Sequence, residues 1–387
     1  MPLRLAARTL LAATTVIALA AGGWAAAATP GGSPATARGA ATARAVPTPG
    51  SGWFLTVVEH GRRNRYGELE ARRQRLELVS PAGERTGVYA RDLGPHGRGA
   101  FLIADWSADG RTALLVTNPG LKSQHALVVD VGTRVVRNVS LGDSVASALL
   151  DGDGGLLLTG YSKGGDRGAP LWRLPQDGQR TRLAARVDGP VLPSPDHLSL
   201  VTGTTSWRGH GLRVLDRNGE LQKRIATGAH CTPVRWWDTS TVEVQCAHRS
   251  TLTLSLVDLT TGSVTALTRP HGRDSADLGD LDARRVASGL YLQASGPCGY
   301  LFLARQRDDG SVAEVRVPHA VGNVLLIGAE DDRLVIEHAA SCDGATPRAV
   351  LARFDPASHE EQPIVRLGRH ADFGRVLAYG ERPASSY

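Results

Sequence analysis

Residues able to do chemistry are scattered along this chain, and few fall into a working pattern. Gly160-Tyr161-Ser162-Lys163-Gly164 fits G-x-S-x-G, in which a serine on a strained strand-to-helix turn acts as a nucleophile. That use requires a helix to follow. Here Gly165-Asp166-Arg167-Gly168-Ala169-Pro170 and a strand-like run follow, so the segment reads as a Gly-rich loop. Asp151 with Asp153, and Asp274, Asp277, Asp280 and Asp282, offer the hard oxygen ligands that suit Ca²⁺. Neither set completes D-x-D-x-D-G-x₅-E, and both read as solvated turns. Of twelve histidines, His60, His96, His210, His230, His248, His271 and His338 fall near strand ends or in loops, and no H-x-x-x-H spacing joins two. No catalytic, cofactor-binding or metal-binding residue is therefore assigned.

The thiols are more informative. Cys231, Cys246, Cys298 and Cys342 make an even, small set that reads as two disulfides in an exported chain, with three connectivities open. Residues 232–236 and 241–247 look like strands around the loop Trp237-Asp238-Thr239-Ser240. With that loop, paired positions sum to 477, so 231 and 246 face each other within disulfide reach. Pro233 then opposes Val244, where no ladder N–H is needed. The same register turns Val234 and Trp236 away from Val242 and Val244, a mismatch that a bulge would shift. Cys298 and Cys342 remain as the second pair. A zinc site would compete for the same ligands, but C-x-x-C spacing is missing.

Export itself is read at the N-terminus. Arg4 and Arg8 precede an apolar stretch over about residues 10–21, and Ala26, Ala27 and Ala28 supply an A-x-A cleavage pattern. Basic, apolar and small residues in that order describe a secretory signal peptide. The apolar stretch is shorter than the ~20 residues of a spanning helix. Residues 1–28 are expected as the signal, with retention as an anchor the alternative. Residues 29–50, rich in Ala, Thr, Gly, Pro and Ser, are expected as a flexible linker, and 382–387 as a disordered tail. The mature protein is expected to be secreted, extracellular or envelope-associated, and monomeric, with no transmembrane anchor once the signal is removed.

Charge adds little. Against 38 Asp+Glu stand 44 Lys+Arg, of which only Lys122, Lys163 and Lys223 are lysines, an Arg bias that fits a high-GC genome. The densest basic run, Arg62, Arg63, Arg65, Arg72, Arg73 and Arg75, includes one aromatic, Tyr66, and no nucleic-acid motif. It reads as a solvated, mobile basic insertion, and no nucleic-acid partner is expected.

What must position any site is a repeat. Short Val-, Leu-, Ile- and Thr-rich segments bounded by Gly, Asp, Asn and Pro recur throughout, and no long segment has a 3.6-residue apolar period, so the fold class is all-β. Asp105-Trp106-Ser107-Ala108-Asp109-Gly110 followed by 111–116 is the clearest copy of strand, polar turn, strand. Corresponding turns begin at 107, 151, 194, 237, 282 and 328, at intervals of 44, 43, 43, 45 and 46. That is the period of a four-stranded propeller blade. Second hairpins, as in Leu127-Val128-Val129-Asp130-Val131-Gly132 and Leu254-Ser255-Leu256-Val257-Asp258, fall near residues 76, 127, 171, 212, 254, 301 and 350. Their Asp and Gly are turn formers, not metal ligands. The count gives a single propeller over 51–381 with seven blades, six and eight being the neighbouring counts. The first blade lacks an inner strand, and 374–379 is expected to supply it beside residues 53–59.

The Trp-Ser-Ala-Asp-Gly turn at 106–110 and the Pro-Ser-Pro-Asp turn at 193–196, each leading through an apolar strand to a hairpin with Asp near the strand end and Gly a few residues later, resemble the repeats of TolB-like propellers and of the wider WD-repeat-like group. By period the resemblance covers about residues 50–380, and it implies an exported bacterial β-propeller. Two functions are carried forward. One is a non-catalytic propeller that binds a protein or cell-envelope ligand on one ring face, with no cofactor. The other is a propeller-fold glycoside hydrolase or lyase acting on extracellular polysaccharide, its carboxylates gathered from several blades.

Overall fold

A computed structural model describes residues 46–65, 68–117, 124–142, 145–160, 168–204, 210–248, 251–270, 279–296, 299–340 and 348–381. Among them the chain is strand, turn and irregular loop apart from 3-10 conformation at Pro95–Gly97 and at Gly299. No helix of the described residues is long and apolar enough to cross a membrane.

The strands form antiparallel four-stranded units. Three are separate sheets: Ala371–Ala378, Phe54–Arg63, Leu69–Val79 and Arg85–Asp92; Phe101–Trp106 through Val136–Gly142; and Ala320–Glu330 through Glu360–Arg366. A seven-stranded sheet holds two more units joined by the long strand Thr181–Pro193. Its first part pairs with Ala169–Leu174 as an outer strand, and its second part pairs with Ser199–Gly203 as the next inner strand. The last sheet joins the unit beginning His230–Trp236 to the unit beginning Gly279–Val286 by one parallel bridge, Leu252↔Gly279. Gly279 has φ +114, and a Cβ there would meet Leu252 backbone N and O at 2.4 Å. Only glycine allows this approach.

Burial links the units in a cycle. Leu55, Leu76 and Leu78 of the first pack on Phe101, Ile103 and Leu115 of the second. Similar apolar layers follow between each consecutive pair. The last, with Phe54, Val58 and Val376 against Val335 and Leu351, brings the final unit back to the first. Inner strands bury both faces, as where Leu55 and Val57 enter one layer and Phe54 and Val58 the other, and each large side chain contributes about 1.5–3 kcal/mol of transfer free energy.

Closure follows the expected route. Ala371–Ala378 pairs antiparallel with Phe54–Arg63, matching Phe54 with Ala378 and His60 with Ala371. The polar turns after residues 106, 150, 193 and 236 stand where the repeat put them. Two weaker ones do not. Asp282 lies inside the strand Gly279–Val286, and the turn falls at residues 287–288. The other turn falls at 331–332, not at 328. In the first case Asp282 and Arg284 are polar because they pair with each other inside the sheet, which a reading of polarity as turn cannot anticipate.

The basic run is likewise not a loose insertion. Arg62 pairs with Glu70 and Arg63 with Leu69 in a ladder that continues the first unit's sheet, and Arg63 Nη2 donates to Asp372 Oδ1 at 2.7 Å. Tyr66 lies outside the described residues.

Candidate functional site

At one end of the ring the inner strands finish in two tryptophans. Trp106 Nε1 donates to Gly110 O at 3.0 Å, and the ring packs edge-on to Tyr379 at 5.6 Å. Trp236 Nε1 donates across to Pro193 O of the preceding unit at 2.8 Å. With their N–H groups satisfied, both rings turn apolar surface toward a small cavity of about 70 Å³, which Pro193, Pro195 and Glu381 also line. Ala108 and Pro195 are exposed at its rim.

Beneath Glu381 runs a charged cluster. Arg235 Nε lies 3.0 Å from Glu243 Oε2 and 3.1 Å from Asp282 Oδ1; the former contact is out of line for a hydrogen bond. Arg284 meets Asp282 at 2.5 Å and Glu381 at 3.2 Å. Burial, reinforced by the charge of Asp282, pushes the Glu243 carboxyl up to about 8 against the pull of the two arginines. Burial also works against the charge of Arg284, but Asp282, Glu381 and Glu243 outweigh it and hold that guanidinium above its ordinary pKa. The cluster bridges the fifth and sixth units and holds every carboxylate beside an arginine.

The disulfide hairpin supplies part of this geometry. Cys231 and Cys246 are bonded, with Cα atoms 4.0 Å apart, in the register expected. A bulge between Pro233 and Arg235 then moves the register by one. Trp236 comes to oppose Val242, and Arg235 comes to oppose Glu243. Cys298 and Cys342 lie outside the described residues.

Other residues with chemical potential disperse. Asp151 pairs with Arg173 and Asp153 with Arg217, while Asp280 is buried in a strand. Asp274, Asp277, His271, Trp207 and the residues from Tyr161 to Gly164 lie outside the described residues. His230 Nδ1 is 3.1 Å from Thr204 O, and His338 Nε2 is 3.3 Å from Glu361 Oε2. His60 sits in the first strand, where burial lowers its pKa. His210 precedes the strand Gly211–Asp216, His248 ends Thr241–His248, and His96 falls in the 3-10 turn. Among the described residues no group of three or more His, Cys, Asp or Glu is placed to hold a metal ion. Trp172 lies 3.4 Å beneath the Arg180 guanidinium, and Trp237 lies 4.8 Å from that of Arg235. Turn aspartates cap backbone: Asp258 accepts from Thr260 and Thr261 N–H at 2.8 Å, and such bonds lower its pKa.

Sequence reasoning missed Arg235, Glu243, Arg284 and Glu381. A signal did exist: Glu243 stands between Val242 and Val244 in an alternating strand, a position where a buried charge demands a partner.

With its cyclic packing and four-stranded units, the chain is a β-propeller. Among solved structures it is similar to a prolyl endopeptidase from a study of two such enzymes and their inter-domain dynamics, at 15% identity over 84% of this chain and 51% of that one, with a TM-score of 0.53. An acylaminoacyl peptidase in complex with Z-Gly-Gly-Phe-chloromethyl ketone matches at 12% identity over 82% of this chain and 51% of that one, with a TM-score of 0.51. This chain thus spans about half the length of those peptidases. The structural neighbours also include TolB from Acinetobacter baumannii, at 14% identity over 84% of this chain and 68% of that one, with a TM-score of 0.45. At these identities the likeness concerns fold alone. No family model matches the chain, and no curated protein matches it.

Proposed function

We propose that this chain is an exported, non-catalytic propeller of seven blades that binds a protein or cell-envelope ligand at the ring face bearing Trp106 and Trp236. In this reading residues 1–28 are a cleaved signal, 29–50 a linker, 51–381 the propeller and 382–387 a tail. The domain acts as a monomer in an extracellular or envelope compartment, where the Cys231–Cys246 disulfide persists. A second disulfide, between Cys298 and Cys342, belongs to the same proposal.

One observation carries the reading. The mouth is lined by two tryptophans and two prolines, and the one carboxylate that reaches it, Glu381, is committed to Arg284. Apolar surface at a concave mouth suits docking of a ligand. A polysaccharide hydrolase needs two carboxylates about 5–10 Å apart that face substrate. Glu243 and Asp282 are close enough, yet both sit on Arg235, which favours binding over hydrolysis.

The test is capture from an envelope extract by the mature protein and by Ala108→Arg and Pro195→Arg variants, whose new side chains would cover the mouth from exposed rim positions. Enrichment of one ligand by the parent and its loss in both variants is expected. Undiminished capture by both variants, or polysaccharide cleavage lost on Asp282→Asn, would refute the reading.

A further inference from the structure

The same face holds a second depression with the opposite chemistry. In the sixth unit, residues 287 and 288 of the inner turn and the end of the strand Leu301–Gln306 bound a groove of about 530 Å³ lined by Arg285, Ser288, Arg305, Gln306, Arg307 and Asp308, among others. In an up-and-down unit the first and third turns lie at the same end, so groove and mouth share a face. Ala287 N also donates to Asp332 Oδ1, in the corresponding turn of the next unit, at 3.3 Å.

Elsewhere on this face several arginines are matched: Arg173 by Asp151, Arg217 by Asp153, and Arg353 by Glu330. Here three guanidinium groups share the groove with Asp308, and Arg307 is close enough to influence Asp309. Neither Arg285 nor Arg307 makes an ion pair among the described residues. Arg305 is held ready: its Nη2 donates to Ser288 O at 2.8 Å, and its guanidinium lies 5.9 Å from the Tyr291 ring. Gly289, at φ +143, leaves room for it, since a Cβ there would stand 3.3 Å from Arg305 Nε. Gathered like charges repel one another, and an anion between them relieves that repulsion.

A bare anion would not complete the groove. The Gln306 Oε1 is buried without a hydrogen-bond donor. A carbonyl oxygen so placed needs an O–H or N–H, which a carboxylate or a phosphodiester cannot supply at neutral pH but a sugar hydroxyl can. We infer that this groove binds an oxyanion, carboxylate or phosphate, carried on a hydroxyl-rich glycan chain. Arginine forks grip the two oxygens, and Gln306 accepts from a neighbouring hydroxyl. This rests on the reading that the face meets the envelope, and it gives the ligand's chemical class.

Titration calorimetry of the mature protein against polyglucuronate, poly(glycerol phosphate), polyglutamate and neutral dextran tests the inference. At least one charged glycan polymer should bind, more weakly as salt is raised, and dextran should not. An Arg285→Gln/Arg307→Gln double variant, verified as folded by its melting curve, should lose roughly tenfold or more in affinity. Preference between the two charged polymers distinguishes a carboxylate source from a phosphate source. Absence of binding to both, equal binding of dextran, tighter binding of polyglutamate, or an unchanged affinity in the double variant would each overturn it. Loss of envelope capture in Ala108→Arg with no effect of the double variant would leave the proposed function standing and remove this inference. Polymer binding that needs Arg285 and Arg307, without any envelope capture at the mouth, would do the reverse.

Discussion

Arg284 Nη2 lies 3.2 Å from Glu381 Oε2, tying the inner strand of the sixth unit to the last described residue. Arg284 is buried and serves Asp282 as well, whereas Glu381 is partly exposed. Arg284→Leu should therefore cost about 3–5 kcal/mol, because it strips a counter-ion from a buried cluster. Glu381→Gln should cost about 1 kcal/mol or less. Urea unfolding midpoints measure both, and equal losses would contradict the asymmetry.

A second carboxyl gives a pH dependence. Burial, aided by the nearby charge of Asp372, pushes Glu337 from an ordinary 4.5 up to about 8. The native state then keeps a proton that the unfolded chain releases, so this group's stabilisation is complete below about pH 4.5 and fades as pH rises toward 8. Melting temperature should decline across that window less steeply in Glu337→Gln than in the parent. Parallel curves would refute the assignment.

The disulfide makes a third case. Cys231 and Cys246 are 15 residues apart, for which loop-closure entropy gives a stabilisation of about 3 kcal/mol. A Cys231→Ser/Cys246→Ser variant should lose about that amount in denaturant titrations under oxidising conditions. A loss below about 1 kcal/mol would mean the hairpin is already ordered in the unfolded ensemble.

The parallel bridge is the fourth. Gly279→Ala would force a Cβ against the Leu252 backbone at a positive φ, and it should destabilise the protein by about 3 kcal/mol or more. Circular dichroism melts report the change. A neutral outcome would show that the fifth and sixth units can part without cost.

Much of the architecture was legible because the units are local. Each hairpin is announced by its own turn, as in Ser107 to Gly110 or Asp258 to Gly262, and by apolar strands on either side. Asp282 misled because polarity alone does not distinguish a turn from an inward ion pair. The bulge before Arg235 was hinted at by the misfit of Val234 and Trp236 with their partners. The mouth was less legible, since Trp106, Trp236 and Glu381 come together only when the ring closes. Gathered from residues far apart in sequence, it leaves no linear motif.

The pairing of Phe54 with Ala378 also sets an order in time. Early units can form as they emerge, but the first sheet stays one strand short until Ala371–Ala378 is available. Contacts of such sequence separation slow folding. Any chain released before its last strand would present the exposed edge of Phe54–Arg63 to its neighbours, so the length of synthesis itself becomes a period of vulnerability to association.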